Sequence, residues 1–87
     1  MSLEQEAIKL HAEVYGWVYK GAETVLKDDC VSIHVMLLWI SRLENLTKKS
    51  KDLALAVRTE QAKRAWVKAR YLEKKMKERY TKEYGNL

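Results

Sequence analysis

No proline interrupts this 87-residue chain, and glycine appears only three times. Proline is the strongest breaker of helix interiors, so nothing in the sequence forces a helix to stop. Apolar residues recur at three- and four-residue intervals along most of the length, the period of an amphipathic helix. The chain therefore reads as an all-α single domain, residues 1–87. Three amphipathic helices are expected, at about 3–27, 29–48 and 52–84, forming an antiparallel helical hairpin or bundle with a long basic C-terminal helix.

In the first helix Ser2 stands as N-cap with Gln5 three residues on, the spacing of a capping box, and Glu4 and Glu6 suit the positive end of the helix dipole. Leu3, Ala7, His11, Val14, Tyr15, Val18, Ala22 and Val25 share one stripe, with Lys9, Glu13, Lys20, Glu23 and Lys27 opposite. Trp17 and Tyr19 flank the stripe on either side. Gly21 at its edge points to a close approach by another helix, whereas Gly16 on the polar side weakens the helix by about 1 kcal/mol. Asp28-Asp29 reads as the turn, either aspartate serving as the next cap.

The second segment is apolar almost all round: Ile33, Met36, Leu37, Ile40 and Leu43 form one face, and Val31, Val35 and Leu38 another. That pattern predicts burial on two sides. Val31 to Val35 alternates like a strand, but the run continues at helical spacing and no hairpin turn supplies a partner. The polar run Thr47–Asp52 is the expected break, with Ser50 as cap. The alternative is one helix continuing from about 29 to 84. A break is favoured because a small chain buries more by folding back.

The third helix has an inner stripe of Leu55, Ala62, Ala65, Trp66, Ala69, Leu72, Met76, Tyr80 and Tyr84, with Arg58 intruding near its start. Gly85 sits where a C-terminal cap belongs. Helices of these lengths span roughly 37, 28 and 48 Å, so the third overhangs the others. The bare end of its stripe predicts a homo-oligomer, a dimer in the first instance, with Trp66, Ala69, Leu72, Met76, Tyr80 and Tyr84 at the interface.

Composition narrows the function. A single cysteine cannot close an internal disulfide, and one Cys with two His makes a structural zinc site hard to assemble. The longest nearly apolar run, Cys30 to Ile40, is eleven residues, short of the roughly 20 that span a bilayer. The acidic, periodic N-terminus does not read as a leader, and a cytoplasmic protein without membrane contact is expected. Cys30 and His34 stand at i,i+4, but no acidic residue orients the histidine and no glycine-rich turn offers an oxyanion hole. Cys30 reads as a buried core cysteine, and His11 as a hydrogen-bonded histidine of the core or an interface. No catalytic residues, metal or cofactor are expected.

Charge carries the strongest functional signal. Residues 1–47 hold four basic side chains against seven acidic ones, and residues 48–87 hold thirteen against five, so the net +5 divides as −3 and +8. Opposite the inner stripe of the third helix lie Lys63, Arg64, Val67, Tyr71, Lys74, Lys75 and Lys82, with Lys68 and Arg70 beside them. Two readings follow. The first is a non-enzymatic interaction or regulatory module of adaptor, scaffold or inhibitor type, docking on another protein. The second is a non-sequence-specific binder of nucleic acid or another phosphate-rich ligand such as a nucleotide. Its candidate residues are Lys63, Arg64, Lys68, Arg70, Tyr71, Lys74, Lys75 and Lys82.

Overall fold

The computed structural model describes residues 2–85 and is all helical, with its helices packed on one another. Three rods of equal length cover residues 3–27, 33–57 and 60–84 within a body 40 × 22 × 17 Å. The first rod comprises α1 (Leu3–Glu13), a π-helical turn (Val14–Val18) and α2 (Tyr19–Lys27). The others are α3 (Ile33–Val57) and α4 (Glu60–Tyr84), which form an antiparallel hairpin beneath the first rod.

The caps show how local chemistry sets the rods. Ser2 and Gln5 form the expected capping box. The expected aspartate cap is corrected: Asp28 Oδ1 accepts from the Cys30 amide, the chain stays extended, and Ser32 caps α3 by accepting from the Val35 amide. Helix therefore resumes at Ile33 rather than near residue 29. Cys30, expected to be buried, is exposed in this connection and precedes the helix that carries His34.

The break expected at 47–52 is also corrected. α3 runs straight through it, and Ser50 is fully buried, its hydroxyl donating to the Leu46 carbonyl at 2.6 Å. A serine bonded one turn back needs no helix end. The chain turns instead at Arg58, whose φ of 52° lies in the left-handed region, and Thr59 caps α4 by accepting from the Ala62 amide. Leu55, expected on the inner stripe of the last helix, consequently belongs to α3 and is exposed.

Moving the turn removes the overhang. Ala69, Leu72 and Met76 are buried in the chain's own core, and Tyr80 packs against that core. The Tyr84 hydroxyl donates to the Val31 carbonyl at 2.9 Å. The length argument for an oligomer interface at these residues therefore lapses. The end of α4 instead clamps the 28–32 connection. Arg79 Nη1 donates to the Val25 and Leu26 carbonyls, both at 2.7 Å, and Nη2 donates to the Asp28 carbonyl. A guanidinium there adds a donor to carbonyls at the helix end and meets the negative end of the helix dipole. Lys77 ties α4 to α3 through Glu44 at 3.1 Å, and its hydrogen bond to Glu73 helps hold its ammonium above the ordinary value.

The core has two halves. Ala7, Leu10, Val14, Leu53, Ala62 and Ala65 form one, and Val18, Ala22, Ile40, Leu43, Leu72 and Met76 the other. Leu10, Val14, Val18 and Ala22 are spaced by four, which on a straight α-helix drifts about 120° around the axis. The π-helical turn absorbs that drift at the junction of the two halves, around Gly16 (φ −89°, ψ −114°).

Candidate functional site

The first rod lies over the hairpin, and each of its flanks presents a cation among aromatic rings. On the α3 side, helical spacing puts Val35, Leu38, Trp39 and Arg42 on one face (i, i+3, i+4, i+7). Trp17 meets this face from the first rod, its ring 6.4 Å from that of Trp39 at an interplanar angle of 50°. The Arg42 guanidinium lies 5.3 Å from the Trp17 ring and 5.1 Å from the Trp39 ring. Gly21 makes the approach feasible, because a Cβ built there would stand 2.7 Å from the Trp39 indole. The close helix approach expected at this glycine is thus present.

Four of these side chains stay open to solvent or nearly so. Trp17 is 50% exposed, Leu38 56%, Val35 39%, and Arg42 is partly exposed without an ion pair among the described residues. The two-sided burial expected for α3 is therefore corrected: among the described residues no element buries Val35 or Leu38. Large apolar groups clustered around a guanidinium are the composition of interface centres.

On the α4 side, a groove of about 500 Å³ is lined by Tyr15, Tyr19 and Glu23 from the first rod and by Val67, Lys68, Tyr71 and Lys75 from α4. The Lys68 ammonium sits 3.9 Å from the Tyr19 ring, 5.4 Å from Tyr71 and 5.9 Å from Tyr15. Lys75 lies 5.7 Å from the other reach of Tyr71. Tyr71 is half exposed and Tyr15 42% exposed. A hydrogen bond to Glu23 holds the Tyr19 phenol above its ordinary value, and the same bond, aided by Lys27, holds the Glu23 carboxyl below its own.

The remaining candidate cations lie outside the groove's lining. Lys63, Lys74 and Lys82 are exposed on the outer face of α4, Arg64 pairs loosely with Glu60 at 3.5 Å, and Arg70 stacks on Trp66 at 5.4 Å on the opposite edge. Of the eight, the structure gathers Lys68 and Tyr71, with Lys75, into the groove. Sequence reasoning missed Tyr15 as its outer wall, having placed it in the core stripe, and missed Trp39 and Arg42 altogether. The signal for the latter was present: an apolar second helix with no complementary apolar face elsewhere to cover it. His11 is partly buried with its ring 4.7 Å from Tyr15. Among the described residues no three His, Cys, Asp or Glu side chains converge as metal ligands, and no helix is long and apolar enough to cross a membrane.

The fold is that of an all-α bundle of three rods. No family model, curated protein or solved structure matches the chain.

Proposed function

We propose that this chain is a non-enzymatic helical interaction module, adaptor or regulatory in kind, that docks another protein on its tryptophan flank. The observation that carries the reading is the Arg42 guanidinium held between Trp17 and Trp39, beside exposed Val35 and Leu38. Indoles and guanidinium are the side chains most often found at interface hot spots. Stacked and weakly hydrated, the guanidinium is pre-organised to accept a carboxylate from a partner, while the aliphatic groups take apolar neighbours. The partner that fits is an amphipathic helix with an Asp or Glu set among apolar residues.

Titration with two designed helical peptides tests this, one carrying Glu between leucines and the other Lys at the same place. Tryptophan fluorescence is the readout, with Trp66 on the opposite edge as internal reference. The acidic peptide is expected to bind at least tenfold more tightly, and Arg42→Ala to remove that preference. Equal binding of both peptides would refute the assignment. Sedimentation of the wild type beside Leu38→Ala tests the homo-oligomer expectation on the same face. An association lost in the variant would make a second copy the partner.

A further inference from the structure

The tyrosine flank has a different chemistry and carries an inference of its own, which stands or falls independently of protein docking at Arg42. On α4, Arg64, Lys68, Tyr71, Lys75, Glu78 and Lys82 follow one another at intervals of four, three, four, three and four residues, four of the six being basic and Glu78 the one acidic member. Such intervals keep side chains in a nearly straight row along a helix. The row is about 27 Å long at 1.5 Å per residue. Across from its middle, the first rod contributes Tyr15 and Tyr19 as a second wall. Three phenol rings therefore surround one ammonium, and further cations extend along the row on either side.

We propose that this groove binds single-stranded nucleic acid, with Lys75 in the groove and Arg64 and Lys82 beyond its lining on separate phosphates along the strand, and a base stacked on the exposed face of Tyr71. A lysine-rich helix serving only solubility has no need of aromatic rings gathered from two rods around its cations. A folded acidic protein can meet the cations by charge, but it does not present a regular series of flat rings to the half-exposed Tyr71 and Tyr15. A single strand uses both features, because its phosphates track the cations and every base has a face to stack. Glu23 also lines the groove, but it is already engaged by Lys27 at 3.0 Å and by Tyr19. Lys68 is the anchor rather than a phosphate contact: it holds Tyr19 and Tyr71 in place. The row accommodates a handful of nucleotides, within the range of one small single-strand site.

Fluorescence anisotropy with a labelled twelve-nucleotide oligo(dT) and oligo(U) tests the proposal at 50 and 200 mM salt. Three phosphate contacts predict a fall in affinity of about 20-fold between those salts. Tyr71→Ala is expected to weaken binding about tenfold at both salts, and Tyr71→Phe to restore it, since the ring and not the hydroxyl stacks. Lys75→Glu with Lys82→Glu should flatten the salt dependence as well as weaken binding. All these side chains lie outside the core, and circular dichroism of each variant checks that the helices are intact. The proposal is overturned by the absence of binding at 50 mM salt. It is equally overturned if polyphosphate or polyglutamate competes as well as oligo(dT) while Tyr71→Ala binds like wild type. A duplex of the same length binding as tightly as the single strand would sink the single-strand assignment.

Discussion

The two flanks of the first rod solve one physical problem with different materials. Each holds a cation against aromatic rings, but one uses a guanidinium and indoles and the other an ammonium and phenols. Arg42 lies among Trp17, Trp39, Val35 and Leu38, where the surrounding surface is apolar and a single planar charge is offered. Lys68 lies among groups with polar tips, in a line of further cations. The guanidinium is poorly hydrated and bidentate, suited to a fixed carboxylate in an apolar setting, whereas ammonium groups are compact and strongly hydrated and suit a flexible polyanion. The difference originates in the sequence of one rod: Trp17 points toward α3 while Tyr15 and Tyr19, four residues apart, point toward α4.

Both flanks depend on how the first rod is held down, so the largest expected effect removes them together. Arg79→Ala deletes the hydrogen bonds to the carbonyls of Val25, Leu26 and Asp28 and frees the end of α2. Charge-assisted bonds at a helix C-terminus support a loss of about 2–3 kcal/mol. For a chain of this size that is on the order of 10–20 °C in Tm. Thermal unfolding measures it, and an unchanged Tm would show that the first rod is anchored by its apolar stripe alone.

The next largest effect separates the flanks. Gly21→Val places a branched side chain where the Trp39 indole lies, 2.7 Å from the glycine's ideal Cβ position. Displacing the ring costs about 1–2 kcal/mol after the gain in helix propensity is allowed for. Trp39 should lose its near-UV dichroism and Arg42 its slot, while anisotropy with oligo(dT) stays at the wild-type value. Equal damage to both activities would mean that the flanks are coupled through the rod rather than independent.

Much of this architecture was legible because it is periodic and local. The first rod, its capping box, the tight approach at Gly21 and the C-terminal cap at Gly85, whose amide donates to Thr81, follow from spacing and from residue chemistry within one turn. The second turn was not legible, because it uses neither glycine nor proline. Arg58 adopts a left-handed conformation that sequence rules reserve for glycine or asparagine, and only its intrusion into an apolar stripe hinted at a break. From that misplaced turn came the supposed overhang, and with it an expected interface that included Ala69, Leu72 and Met76, which the chain buries itself. The flanks were half legible. Helical spacing placed Trp17 and Tyr19 on either side of the stripe and put Lys68 beside Tyr71. Pairing Tyr15 with Lys68, or Trp17 with Arg42, needs the rods set side by side, and Arg79 reaches carbonyls more than fifty residues away.

The turn itself supplies a smaller test that leaves both flanks intact. Arg58→Gly relieves the left-handed strain of a side chain at φ 52°, offset in part by the greater freedom of glycine in the unfolded chain. A net gain of about 0.5–1 kcal/mol, a few degrees in Tm, is expected, with peptide and oligonucleotide binding unaltered. A fall in Tm would mean that the arginine side chain contributes more at this corner than its backbone costs.

The gentlest way to tell the flanks apart is pH. On the tyrosine flank, the Tyr19–Glu23 hydrogen bond lowers the carboxyl below its ordinary 4.5 and raises the phenol above its ordinary 10.0. A lowered carboxyl contributes fully above 4.5, and its contribution is lost as pH falls through the lowered value. A raised phenol contributes fully below 10.0, and its contribution is lost as pH climbs through the raised value. Lys27 and Lys68 act on Glu23 in the same direction as the hydrogen bond, and Tyr71 adds to the rise at Tyr19. On the tryptophan flank, Arg42 packs against the Trp17 and Trp39 rings and forms no ion pair among the described residues. The ring resonances of Tyr19 and Tyr71 should therefore move together at the acid end, below 4.5, while the indole signals of Trp17 and Trp39 hold still. Indole signals that track Glu23 would mean that the carboxylate orders the whole rod, and the two flanks would then be one surface.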